Sequence, residues 1–234
     1  MGKLDGRLAV VTGTSRGIGR AIAVLFVKEG ARVAGCARSP GGETFLNDLT
    51  TEERRRGVQA VCDVRSKEDV LRFHDDVRAT MGTRPDTVVN NAGIVARESV
   101  ATLALDTWND VLASNLTGTF LVTQAFLPAM QERKSGRIIN MSSIGGRSGT
   151  PLLSAYCAAK HGVVGLTRAW AEELRPDGIV VNAICPGSVD TDMLKQGMPG
   201  GEPHMQPAEV ARVALFLAAD APLALTGSCI DVFG

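Results

Sequence analysis

The chain of 234 residues has one tyrosine, Tyr156, and little else that is aromatic: two tryptophans and seven phenylalanines. It has no excess charge of either sign. Lys plus Arg and Asp plus Glu number 25 each, for a formal net charge of zero, so nothing draws the molecule in bulk to nucleic acid or anionic membrane. The one basic run, "ERRR" at 53–56, reads as the solvated face of a helix or loop. There is no Cys-x-x-Cys pair. The five cysteines are odd in number, widely spaced and set mostly in apolar runs, which excludes a disulfide frame or zinc site and fits buried thiols in a reducing compartment. The three histidines have no ligand spacing either, so no metal site is expected. Long hydrophobic runs are missing as well. The opening "MGKLDGRLAVVTG" passes from a short apolar stretch directly into a glycine-rich turn, unlike a signal peptide or a transmembrane span. A cytoplasmic protein is expected.

What is present is ordinary for a globular chain: 44% hydrophobic and 21% charged residues, enough to bury a substantial core. Short β-branched runs alternate with helical patterns. The strands read at "LAVVT" (8–12), "RVAGCA" (32–37), "VQAVCDV" (58–64), "DTVVN" (86–90), "GRIINMS" (136–142), "GIVVNAI" (178–184) and "SCIDVF" (228–233). Between them lie a helix ending at Gly30, one opened by Ser66 and closed by Gly82, a long stretch over about 106–134, a helix over 155–175 and a last one near 207–218. Apolar strands separated by helices, without in–out alternation, indicate a parallel sheet covered on both faces. With no linker or repeat, the reading is one doubly wound α/β domain of the Rossmann type, residues 1–234, with a seven-stranded sheet. In such sheets ligands bind beyond the carboxyl ends of the strands.

The residues at those ends carry the chemistry. After the first strand comes "TGTSRGIG", with Gly13, Gly17 and Gly19 spaced G-x-x-x-G-x-G. Glycines there permit a tight turn, and the helix that follows offers free N–H groups to a pyrophosphate. After the fourth strand stands "NNAG" (90–93), after the fifth "SSIGG", after the sixth "CPGSVDTDM". Tyr156 is followed by Lys160, one helical turn on. Taken singly, the tyrosine could be a core edge, the lysine a solvated helix residue, and Asp63 a turn or capping aspartate.

Taken in order, these motifs resemble the short-chain dehydrogenase/reductases, in the shorter of their two main branches. The resemblance runs from about Lys3 to the end: Thr12 to Gly19, Asp63-Val64, N-N-A-G at 90–93, Asn115, the serine of "NMSS", Y-x-x-x-K at 156–160 and P-G at 186–187. It implies a catalytic tetrad of Asn115, Ser143, Tyr156 and Lys160, Ser143 being selected over Ser142 because it lies thirteen residues before the tyrosine. A free phenol of pKa ~10 keeps its proton at neutral pH. Lys160 and an oxidised nicotinamide would both favour the phenolate. Tyr156 would then exchange a proton with the substrate oxygen, Ser143 would stabilise that oxygen, and Asn115 would anchor a water that resupplies the proton. The resemblance places Gly13, Ser15, Arg16, Gly17, Ile18 and Gly19 around the cofactor phosphates and Asp63 and Val64 along the adenine. Asn91, Ala92 and Gly93 fall near the adenine ribose, Lys160 and Tyr156 by the nicotinamide ribose, and Pro186, Gly187, Val189 and Thr191 by the carboxamide.

NAD-dependent relatives carry an acid at the end of the second strand; here Ala37 is followed by Arg38, and with Arg16 this implies NADP(H). The expected partner is a small carbonyl or alcohol substrate, with no nucleic acid or membrane, in a homodimer or homotetramer. Within the family the chain is most similar to the 3-oxoacyl-carrier-protein reductases. Their basic docking positions fall near Lys134 and Asp177, one kept and one acidic. An NAD-linked alcohol or polyol dehydrogenase and a non-catalytic NADP-binding regulator are the other readings. Residues 194–205, rich in Gly and Pro, are expected to form a mobile flap rather than a stable helix.

Overall fold

Seven parallel strands form one sheet in the order β3-β2-β1-β4-β5-β6-β7 in a computed structural model that describes residues 2–38, 44–81 and 84–234. The strands are β1 (Leu8–Thr12), β2 (Arg32–Ala37), β3 (Gly57–Val61), β4 (Thr87–Asn90), β5 (Gly136–Met141), β6 (Ile179–Pro186) and β7 (Cys229–Val232). The four residues of β4 and the eight of β6 are buried throughout, as strands covered on both faces must be. Helices α1 (Gly17–Lys28) and α8 (Pro207–Ala219) pack on one face, around Phe26, Val27, Val210 and Leu217. On the other lie α3 (Lys67–Met81), α5 (Gly118–Arg133) and α6 (Ser154–Leu174), around Phe73, Phe126 and Leu174. Four-residue α2 (Thr51–Arg54) contains the start of the basic run, as the solvated helix face its charges demand. No helix among the described residues is long and apolar enough to cross a membrane.

Chain order reverses between β1 and β4, and this opens the crevice in which a doubly wound sheet binds its ligand. Behind it a buried polar network ties the sheet to its helices. Asn90 Nδ2 donates to Thr123 Oγ1 on α5 and to Asn140 Oδ1 on β5, each at 2.9 Å. Asn140 Nδ2 donates to Thr167 Oγ1 on α6 at 3.0 Å. The strands beneath the site are thereby held in register with α6, the helix that carries Tyr156.

Two sequence expectations are modified. The helical stretch over about 106–134 is continuous but not uniform: α4 (Leu105–Leu112) passes into α5 through a π-helical turn, Ala113–Thr117. Asn115 lies in that turn and its Nδ2 bonds to the carbonyl of Val111 at 2.9 Å, so a side chain competes for the helical ladder where the helix widens. The flap expected over 194–205 is also corrected. A helix, α7 (Asp192–Gly197), occupies its first part, capped by Thr191 Oγ1, which accepts from Leu194 N at 3.3 Å. An acid in its first turn and Lys195 in its last suit the helix dipole. Glycine and proline density predicted a loop there, but it sits after this cap-and-charge pattern, from Gly197 onward. The far end is fastened too, since Met205 is buried and bridges Val189. The Gly82 end of α3 lies outside the described residues; Ser66 Oγ caps its start, accepting from Asp69 N at 3.1 Å.

The Asn140 network yields a prediction. Asn140→Ala removes one of the two acceptors of Asn90 Nδ2 and the donor to Thr167 Oγ1, both in the core, so urea unfolding should show a loss of about 1–3 kcal/mol. A loss below ~0.5 kcal/mol would show that the network does not hold the strands.

Candidate functional site

A cleft of about 1100 Å³ opens over the carboxyl ends of the strands. One wall begins at the turn after β1. Gly13 and Gly17 stand at φ +74° and +57°, conformations that side chains rarely adopt. A Cβ on Gly19 would lie 2.3 Å from both Asn91 Nδ2 and the Gly13 carbonyl. Gly19 therefore does not face the cleft; its bareness lets α1 pack against the turn. Arg16 makes no capping bond at the start of α1, and the first turn carries no acid. The amide donors there are left without a side-chain partner, so the turn and helix end fit a pyrophosphate.

Ser15, Arg16, Gly17 and Ile18 line the cleft, as do Arg38, Asp63, Val64, Asn91, Ala92, Gly93, Pro186, Gly187, Val189 and Thr191. Asp63 is held by Arg65 at 2.7 Å, which lowers its carboxyl pKa. Asn91 is a staple as well as a lining residue: its Nδ2 donates to the Thr12 and Gly13 carbonyls at 2.9 and 3.3 Å. Arg38 is exposed, and no ion pair to it occurs among the described residues. Arg16 by contrast pairs with Asp192 at 3.1 Å.

At the other end stand Ser143, Tyr156 and Lys160. The two serines after β5 have separate work. Ser142 Oγ donates to the Lys160 carbonyl at 3.0 Å and fastens α6. Ser143 Oγ accepts from Gly145 N at 3.1 Å and lies close enough to Tyr156 to favour its phenolate. Lys160 is buried, its Nζ donating to the Met141 carbonyl at 2.8 Å and lying 5.6 Å from the centre of the Tyr156 ring. Burial lowers the ammonium pKa to about 8. Tyr156 shifts upward, because desolvation outweighs the opposing pull of the nearby Ser143 hydroxyl. Lys160, 5.6 Å from the ring centre, is expected from the sequence to depress the phenol, but desolvation sets the direction of its shift. Asn115 lies behind the wall rather than in it. Its Nδ2 donates to the carbonyls of Ile94 and Val111, while Oδ1 is buried without a partner. A Cβ on Gly93 would sit 2.4 Å from that oxygen and 3.7 Å from Lys160 Nζ, so only a glycine leaves the two facing each other.

Gln59, Arg20, Asp48 and Met193 line the cleft and escaped the sequence reading. Gln59 Oε1 accepts from Thr14 Oγ1 at 2.7 Å near the end of β2, and Arg20 grips Asp48 at 2.6 Å. Nothing local marks them. Met193 lies 4.0 Å through its Sδ from the Tyr156 hydroxyl; the Thr-Asp start of α7 was the available signal.

Residues 7–200 match the family model described as short chain dehydrogenase. The 3-oxoacyl-[acyl-carrier-protein] reductase of Vibrio harveyi is 37% identical over 242 residues, covering 99% of this chain and 97% of that protein. The enzyme of the same name from Escherichia coli is 35% identical, covering 98% and 97%. Among solved structures, carveol dehydrogenase from Mycobacterium avium in complex with NAD superposes with a TM-score of 0.90 at 31% identity, covering 100% of this chain and 98% of that one.

The buried Lys160 makes stability depend on pH. An unfolded lysine titrates near 10.5 and this one near 8, so between those values the unfolded chain holds more protons. The lysine's contribution to stability therefore rises with pH across that window, and the burial cost stands in full below it. Tyr156 and Cys185, both shifted upward, act in the opposite sense. The unfolding free energy of the native chain minus that of Lys160→Met should thus climb from about pH 8 towards 10. A difference independent of pH would contradict the burial of a titrating amine.

Proposed function

The chain belongs to the short-chain dehydrogenase/reductase family, an oxidoreductase acting on CH–OH or C=O groups with a nicotinamide cofactor, and we propose that it is an NADP(H)-dependent reductase of small ketones, reversible on secondary alcohols. The whole chain, residues 1–234, acts as one dinucleotide-binding and catalytic domain in a reducing, cytoplasmic setting. The observation that carries the reading is the cleft itself: an anion-ready glycine turn at one end, and Tyr156, Ser143 and Lys160 converging at the other.

When bound, the nicotinamide supplies or accepts the hydride. The protein handles the proton and the charge. Tyr156, half-buried and with its pKa shifted upward, holds its proton and donates it to the substrate oxygen as negative charge develops there. Ser143, on the same wall of the cleft, gives that oxygen its second hydrogen bond. Lys160 counters the phenolate that remains and grips the cofactor ribose. The unpartnered Oδ1 of Asn115 seats a water that passes a proton back through Lys160. A homodimer or homotetramer packed through α5 and α6 suits the exposed Phe120 on α5.

NADP(H) is favoured over NAD(H) because the β2 end has Ala37 in place of an acid and Arg38 exposed beside the cleft. A guanidinium binds a 2′-phosphate by charge-assisted hydrogen bonds of about 1.5–3 kcal/mol, enough for tenfold discrimination. A neighbour solved with NAD keeps the NAD-linked reading as the second candidate. Carrier-protein substrates, for which the reductase relatives are named, are disfavoured: Asp177 forms an ion pair with Lys134 and accepts from Gln131, so the cation of that surface is neutralised.

Two measurements test the proposal. Tyr156→Phe should keep cofactor binding and lose turnover about a hundredfold or more, whereas near-normal turnover would end the mechanism. The kcat/KM for one ketone should be at least about tenfold higher with NADPH than with NADH, and Ala37→Asp/Arg38→Ile should shift it towards NADH. Equal efficiency with both cofactors in the native chain would return the assignment to the NAD-linked class.

A further inference from the structure

Three consecutive residues join the two ends of the cleft. The methyl of Thr191 stands where a Cβ on Gly17 would meet it at 3.2 Å, so the start of α7 rests on the glycine turn. Asp192 accepts from Arg16 Nη1 at 3.1 Å. Met193 then turns its thioether to within 4.0 Å of the Tyr156 hydroxyl. A substrate oxygen must come to roughly 2.6–3.2 Å from that hydroxyl to take its proton, and Met193 stands against the same place. At its far end α7 is tied by Arg97, which donates to the Gly197 carbonyl at 3.2 Å.

We propose that Asp192 is a positioning residue that couples the cofactor's 2′-phosphate to substrate access. Asp192 and a 2′-phosphate compete for one guanidinium, that of Arg16. With the phosphate absent, the pair holds the first turn of α7 down and Met193 against Tyr156. A 2′-phosphate draws Arg16 away, the first turn of α7 loosens relative to its tie at Gly197, and the flexible thioether leaves the phenol. NAD(H), lacking that phosphate, leaves the pair in place. The pair is exposed at both partners, so the coupling is modest, about two- to fivefold, and weakens with salt. By linkage, deleting Asp192 must tighten the phosphate-bearing ligand by the same factor. The inference rests on the NADP(H) reading above.

Because Tyr156 is the only tyrosine, uniform fluorotyrosine labelling gives one fluorine resonance beside Met193. The probes are adenosine 2′,5′-bisphosphate and adenosine 5′-phosphate, which carry no nicotinamide to touch Tyr156 themselves. The bisphosphate should move the resonance and the monophosphate should not. Asp192→Asn, at an exposed site, should move it the same way with no ligand, and should bind the bisphosphate about two- to fivefold tighter with the monophosphate unchanged. Arg16→Ala should also move the resonance, but with weaker bisphosphate binding. A resonance unmoved in Asp192→Asn, or equal tightening of both nucleotides, overturns the coupling. If the native chain prefers the bisphosphate while Asp192→Asn leaves Tyr156 unmoved, the coupling alone fails. If the native chain binds both nucleotides equally, the NADP(H) reading fails, and the coupling with it.

Discussion

The cleft depends on how Thr12 and Asn91 fasten β1 to β4 at the point where the chain order reverses. Two strands that part company there would leave a gap lined by unpaired backbone. Thr12 Oγ1 instead accepts from the backbone N–H groups of Asn91 and Ala92, both at 3.0 Å, and donates to Val89 O at 3.4 Å. Asn91 returns the favour through its amide, which takes the carbonyls of Thr12 and Gly13. Buried backbone groups without partners would cost more than any single contact in the cleft, so this exchange is what lets a sheet open into a binding crevice. The bare Cα atoms of Gly13 and Gly19 follow from it, since a Cβ at either would strike Asn91.

From that staple the polar centre is built into apolar surroundings. Lys160 is held in low dielectric by one carbonyl, and Asn115 keeps an acceptor free in the same space. Such groups are costly in a core that does nothing. Here a widened helical turn and a glycine at position 93 hold them within reach of each other. The packing of the surrounding sheet and helices carries this cost, with the Asn90, Asn140, Thr123 and Thr167 network keeping α5 and α6 in place.

The segment after β6 shows how much one short helix can connect. α7 reaches the glycine turn, Arg16 and Tyr156 through three successive side chains, because successive residues at a helix start point in different directions. This helix touches both the glycine turn and Tyr156, the contacts on which the coupling proposed above rests.

Much of this was legible beforehand. Seven apolar runs and the glycine turn specified the sheet and its ligand end, because strand burial and backbone conformation leave local marks in composition. The order of motifs from Thr12 to Gly187 likewise named the family. Other features depended on contacts between residues far apart in sequence. The π-helical turn at Asn115 arises from a side chain competing with its own helix, and α7 from a cap beside a glycine-rich loop. The upward shift of Tyr156 comes from burial, which no spacing expresses. Local chemistry by itself determined which residues could act: a phenol, an amine, a serine and an arginine beside an alanine. Only the tertiary structure decided which of them face one another, because Arg16 meets Asp192 across 176 positions and Tyr156 meets Met193 across 37, distances over which sequence carries no pairwise constraint.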